Sequence, residues 1–92
     1  MEKIKVLIKD PGLPARFLTI PNDLKTLQGI VDGYIEIMTV DDICVVCNEE
    51  GKIRGMQPNI TFGGHDFVGT IVMTGHEGEE LTSFPYGLGG ES

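Results

Sequence analysis

The sequence predicts an α+β domain: a mostly antiparallel sheet of about five strands with one helix packed on one face. Three observations lead there. From Lys3 to Lys9, Ile4, Val6 and Ile8 alternate with lysines, the period of a strand with one buried face. Leu24, Leu27, Ile30 and Val31 recur at three- and four-residue spacing, the period of an amphipathic helix. Between Leu27 and Asn59, apolar runs alternate with Asp32-Gly33, Asp41-Asp42 and Asn48-Glu49-Glu50-Gly51. Turn chemistry that dense leaves room only for short elements.

Taken in order, the Lys3–Lys9 strand stops at Asp10-Pro11-Gly12-Leu13-Pro14, which cannot continue it. Arg16 to Ile20 then returns antiparallel. Asn22 is placed to cap a helix of two to three turns, which ends at Asp32-Gly33, where glycine accepts positive φ. Tyr34–Val40 and Ile43–Cys47 form a hairpin across Asp41-Asp42. Asn48 to Gly51 reverses the chain, and Lys52-Ile53-Arg54 is expected to pair briefly. The stretch from Gly55 to Asp66 reads as a loop, broken by Pro58, Gly63 and Gly64. Phe67–Thr74 is the last strong strand, with Gly69 marking a bulge or a close backbone approach. Leu81 to Phe84 adds an edge. The domain is expected to span residues 1–86, with 87–92 a flexible Gly-rich tail.

Ninety-two residues with 40% apolar and 23% charged side chains supply one modest core. No apolar run is long enough to cross a bilayer, and Met1-Glu2-Lys3 leads straight into a strand, so the expectation is a soluble protein in the cytoplasm of whichever cell makes it; the resemblance given below implies that this is a bacterial host cell. Charge is uneven: residues 1–31 hold five bases and three acids, whereas residues 32–92 hold two bases and eleven acids. An acidic surface repels phosphates, so direct nucleic acid binding is disfavoured. The acidic half serves solubility, or it mimics nucleic acid and occupies a basic groove of another protein.

Cys44 and Cys47 lie in a β-branched run, Ile43 to Cys47. Residues three apart on a strand point to opposite faces, so these thiols share neither a metal nor a disulfide. His65-Asp66 and His76-Glu77 lack a short ligand spacing and a third partner. No nucleophile elbow, Walker loop or dinucleotide fingerprint is present. The expectation is a protein without catalytic residues, metal or cofactor.

A set of motifs resembles the DUF3846 family, small proteins of unknown function found mostly in phages and mobile elements of Gram-positive bacteria. They are the opening strand Ile4–Ile8 with Asp10-Pro11-Gly12, Leu27-Gln28 before Gly33-Tyr34-Ile35-Glu36, Cys47 to Lys52, Gly55 to Asn59, and Asp66 to Thr70. The resemblance covers roughly Lys3 to Phe84 and brings no activity with it. It implies a phage or mobile-element setting, and hence a counter-defence role.

The candidate ligand-binding residues are Asn48, Glu49, Asn59, Asp66 and Thr70, with Pro58 beside them, all at strand ends or in loops. Asparagine amides offer donor and acceptor together, as recognition of a base edge or ribose requires; alternatively they satisfy their own turns. Lys5 and Arg16 are the candidate bases. The lysines of the first strand either guard an edge against pairing or form a small cationic patch.

Two functions follow as expectations. The first is sequestration of a nucleotide-type signalling ligand in a pocket between protomers, because a short chain has little room for a deep one of its own. The second is an acidic inhibitor that blocks a host nucleic-acid-binding enzyme, using Asp41, Asp42, Glu49, Glu50, Glu77, Glu79 and Glu80. A homo-oligomer is expected because one helix covers one face of the sheet. The other face, Phe67, Ile71 and Met73 or Val68, Thr70 and Val72, still needs a partner.

Overall fold

Strands form where branched and aromatic residues alternate, and the computed structural model, which describes residues 2–87, places eight of them around one helix. In chain order these are β1 (Lys3–Lys9), β2 (Arg16–Pro21), α1 (Leu24–Val31), β3 (Ile35–Val40), β4 (Ile43–Asn48), β5 (Pro58–Phe62), β6 (His65–Val68), β7 (Ile71–Glu77) and β8 (Glu80–Thr82). The main sheet is antiparallel with six strands rather than about five, in the order β2-β1-β7-β4-β3, with β8 also on β7. The α+β class and the single packed helix are as expected. The tail expected at 87–92 lies, from residue 88 on, outside the described residues.

The N-cap of α1 is Asp23, not Asn22: the Asp23 carboxylate accepts the Thr26 N–H at 2.7 Å. Asn22 instead ties the helix start to its surroundings, its amide donating to the Leu81 carbonyl at 3.1 Å. At the other end Asp32 takes the left-handed conformation, φ 64° and ψ 46°. Leu27 and Val31 face the sheet, where they join Ile4, Val6, Ile8, Ile20, Val46 and Val72 in one cluster.

Two expectations fail between Gly51 and Thr74. Lys52-Ile53-Arg54 stays in a turn and joins no strand. The stretch from Gly55 to Asp66 is not a loop: β5 and β6 form a second, two-stranded sheet across the Gly63-Gly64 turn. The strand expected over Phe67–Thr74 is therefore two strands in two sheets. The break falls at Gly69, whose φ of 72° a side chain rarely adopts. A Cβ there would lie 2.8 Å from the Met56 sulfur, so the backbone does approach closely, as glycine at this point suggested.

The second sheet covers the far face of the first. Phe67, with Ile60 and Phe62, packs on Leu7, Ile43, Val45, Ile71 and Met73. Ile71 and Val72 are 0% exposed, Phe67 4% and Met73 6%. The open face from which a homo-oligomer was expected does not exist, because the chain covers it with its own hairpin.

The edges also differ from expectation. β1 is interior, between β2 and β7, so its lysines guard no edge. Nor is the segment after the β7–β8 turn an edge. β8 pairs β7, while Phe84 N–H donates to the Lys5 carbonyl at 2.8 Å and Ser83 accepts the Lys5 N–H. The chain thus fills the wedge where β1 and β7 diverge. Among the described residues, the order of the main sheet ends in β2 on one side and β3 on the other.

Candidate functional site

The candidate residues divide into separate places. Asn48 ends β4 and is buried, 6% exposed. Its amide donates to the Val31 and Asp32 carbonyls, each at 3.0 Å, and its oxygen accepts the Glu50 N–H at 2.7 Å. Helix carbonyls at a C-terminus lack intrahelical partners, and Asn48 satisfies two of them from a neighbouring strand. Both donors and the acceptor are engaged within the chain.

Asn59 works in the same way at the end of β1. Its amide bridges the Lys9 carbonyl at 2.8 Å and the Gly69 carbonyl at 2.7 Å, and its oxygen accepts from the Lys9 ammonium at 3.3 Å. Beside it, Asp10 accepts from Thr70 at 2.7 Å and from Arg16 at 3.3 Å. The Thr70 hydroxyl, then the Arg16 guanidinium, hold the Asp10 carboxyl below its usual range, against some desolvation. Asn59, Thr70 and Arg16 thus meet around Asp10, a residue the sequence marked only as a turn. Lys5 stands apart, with its ammonium 4.7 Å from the Phe17 ring centroid.

Asn48, Glu49 and Asp66 share a cleft of about 150 Å³ between β4 and β6, floored by Met38, Cys47 and Phe67. Drug-sized and cofactor ligands occupy roughly 300–1,000 Å³, so this cleft admits a single side chain and no nucleotide. Burial, then the Glu36 charge, pushes the Cys47 thiol up, which keeps it protonated and a poor nucleophile. Cys44 and Cys47 are both free and buried. Asp66 accepts from Thr61 at 2.6 Å. Among the described residues, no group of three or more His, Cys, Asp or Glu is arranged to hold a metal.

A larger groove, about 490 Å³, opens beside the start of β3, lined by Lys25, Gln28, Gly29, Gly33, Tyr34 and Glu50. Tyr34 is 67% exposed there. None of these lining residues other than Glu50 belongs to a polar loop cluster legible in the sequence.

Opposite lies the acidic end of the sheet. Ile43 pairs with Gly75, so the β3–β4 turn at Asp41-Asp42 adjoins the β7–β8 turn at Glu77 to Glu80. Five exposed carboxylates, Asp41, Asp42, Glu77, Glu79 and Glu80, gather on these two turns. Glu49 and Glu50 sit at the other end of β4 and do not join them. The two turns are stapled by His76, whose Nε2 lies 3.1 Å from the Asp41 carbonyl and whose Nδ1 lies 3.3 Å from that of Gly78. These contacts, Asp41 first, raise the imidazole's pKa. Tyr86 donates to the Asp42 carboxylate.

The family model described as a domain of unknown function, DUF3846, matches residues 4–87. This chain belongs to that family. No curated protein and no solved structure matches it. Among the described residues, no helix is long and apolar enough to cross a membrane.

Proposed function

We propose that this DUF3846 protein is a non-enzymatic interaction protein that docks the acidic end of its sheet on a basic surface of another protein. The observation that supports the reading is the placement of five carboxylates on two adjoining turns, held in register by His76. Charges fixed on a scaffold present a field without the entropy cost of ordering a flexible tail. A row of carboxylates at one end of a rigid sheet resembles a short stretch of phosphates in charge. The partner is then a nucleic-acid-binding protein, and the phage setting implied by the family resemblance makes it a host defence protein.

Electrostatic docking of this kind weakens steeply with salt. In the test, immobilised chain and its Glu77→Gln, Glu79→Gln, Glu80→Gln triple variant are incubated with host-cell extract at low and high salt. Retained proteins are then quantified by mass spectrometry. The reading expects basic nucleic-acid-binding proteins on the wild type at low salt, lost at high salt and on the variant. Equal retention by the variant contradicts it.

A second reading, sequestration of a nucleotide-type ligand, is favoured by one feature. The groove beside Tyr34, at about 490 Å³, has the room that the Asn48 and Asp66 cleft lacks. Its exposed ring offers a stacking face, and Lys25 a cation. A cyclic nucleotide that binds there raises the melting temperature, and Tyr34→Ala abolishes the rise. Melting temperatures unmoved by a panel of cyclic nucleotides remove this reading.

A further inference from the structure

We propose that the cleft between β3, β6 and the turn after β4 is a socket for one arginine side chain of a partner protein. It lies toward the Asn48 end of β4, away from the Asp41-Asp42 turn, and the inference stands independently of docking through the acidic end.

Side chains alternate between the two faces of a strand. Ile35 packs with the helix cluster, so Glu36 and Met38 of β3 include the positions that face the second sheet, where Met38 joins the Phe67 cluster. The second sheet touches its surroundings at both ends of this face. A Cβ at Gly63 would meet the Val40 side chain at 2.5 Å, and a Cβ at Gly51 would meet that of Val68 at 2.8 Å. Between these close approaches a cleft of about 150 Å³ stays open.

Its floor and its rim differ in chemistry. Phe67 and Cys47 are buried at the floor with Met38 beside them. Glu36, Glu49 and Asp66 bring carboxylates from three separate elements, with Lys52 as the base among them. Burial, then the Glu36 charge, raises the Cys47 thiol, and Lys52 opposes them, so both charges act on the floor. Among the described residues, no base forms an ion pair with any of the three carboxylates, and the Thr61 hydroxyl holds Asp66 in place.

These features select the occupant. Among the described residues, no three of the groups are arranged to hold a metal ion. An anion meets three carboxylates against one ammonium and is repelled. An apolar side chain would desolvate the carboxylates without pairing them. An arginine lays its methylene stem on the apolar floor and keeps its charged head at the rim. Its five donors can serve carboxylates that come from different elements, and it sheds water more easily than a lysine ammonium.

NMR titration of the intact chain at constant ionic strength tests the proposal, with N-acetyl-arginine amide as the probe. The lysine counterpart and the neutral citrulline counterpart serve as comparisons. The arginine probe shifts the Glu49, Asp66 and Phe67 amides and saturates near about 10 mM, as a ligand this small allows. The lysine probe binds more weakly, and the citrulline probe leaves these amides unmoved. Glu36→Gln combined with Asp66→Asn weakens arginine binding by about fivefold, the scale of a partly exposed ion pair. The Glu77→Gln, Glu79→Gln, Glu80→Gln variant binds the probe as the wild type does, which separates this site from the acidic end. Shifts that never saturate, or equal shifts with citrulline, overturn the socket. Lysine binding as tight as arginine binding overturns the choice of arginine. A loss in the triple variant equal to that in the cleft variant makes net charge alone responsible and overturns the site.

Discussion

His76 and Asp41 are 35 positions apart in sequence, yet the imidazole Nε2 lies 3.1 Å from the Asp41 carbonyl oxygen and joins the two acidic turns. The contact is favoured by protonation, since a protonated ring donates from both nitrogens, to Asp41 and to Gly78.

The first prediction is a pH dependence. The folded pKa of His76 is raised above its ordinary value near 6.5. The stabilisation is complete below the unfolded pKa and is lost as pH rises through the folded one. The melting temperature of the wild type should exceed that of His76→Gln by a margin that is largest in mild acid. Above the folded pKa the margin should close. A margin that widens with pH contradicts the assignment.

Asn48→Ala should be costly for a single amide. It strips partners from the Val31 and Asp32 carbonyls and from the Glu50 N–H at a buried position. Unsatisfied buried groups cost about 1–3 kcal/mol each, and some here regain water, so the expected loss is about 2–4 kcal/mol. Urea unfolding should show a lower midpoint with an unchanged slope. A ligand-binding role without a structural one predicts little change.

Gly69 and Gly64 form a controlled pair. Both have positive φ, 72° and 80°, but a Cβ at Gly69 meets the Met56 sulfur at 2.8 Å, whereas one at Gly64 meets nothing within 4 Å. Gly64→Ala should cost about 1–2 kcal/mol from backbone strain alone. Gly69→Ala should cost more, by whatever displacing Met56 requires. Equal losses in denaturant titrations would show that Met56 yields freely.

Phe67→Ala should cost about 3–5 kcal/mol, the range for a large core aromatic. It also removes the main contact between the β5–β6 hairpin and the far face of the main sheet. Dye binding by exposed apolar surface should rise with it. Retained stability would mean that the hairpin does not seal this face.

The sequence made the regular elements legible because their evidence is local. Alternation in Lys3–Lys9, helical spacing in Leu24–Val31 and the Asp41-Asp42 turn each appear within a few residues. It missed β5 and β6 because strands of five and four residues around Gly63-Gly64 look like loop when read one by one. It read Phe67–Thr74 as one strand because nothing local says that the chain changes sheets at Gly69. Asn48 and Asn59 were legible as polar residues at turns. Their partners were not, since Asn48 reaches back 17 positions and Asn59 reaches back 50. The alignment of five acids on one end was likewise a matter of register, which the β4–β7 pairing alone fixes.

The most direct measurement is competition on a captured partner. A host nucleic-acid-binding protein retained by the chain is loaded with labelled duplex DNA and titrated with wild type or with the Glu77, Glu79, Glu80 to glutamine variant. If the acidic end occupies the basic surface, the wild type displaces the DNA, and the variant displaces it at least tenfold less well, the loss of about 1.4 kcal/mol. Binding of the wild type without displacement, or equal displacement by the variant, would contradict the proposed docking through the acidic end.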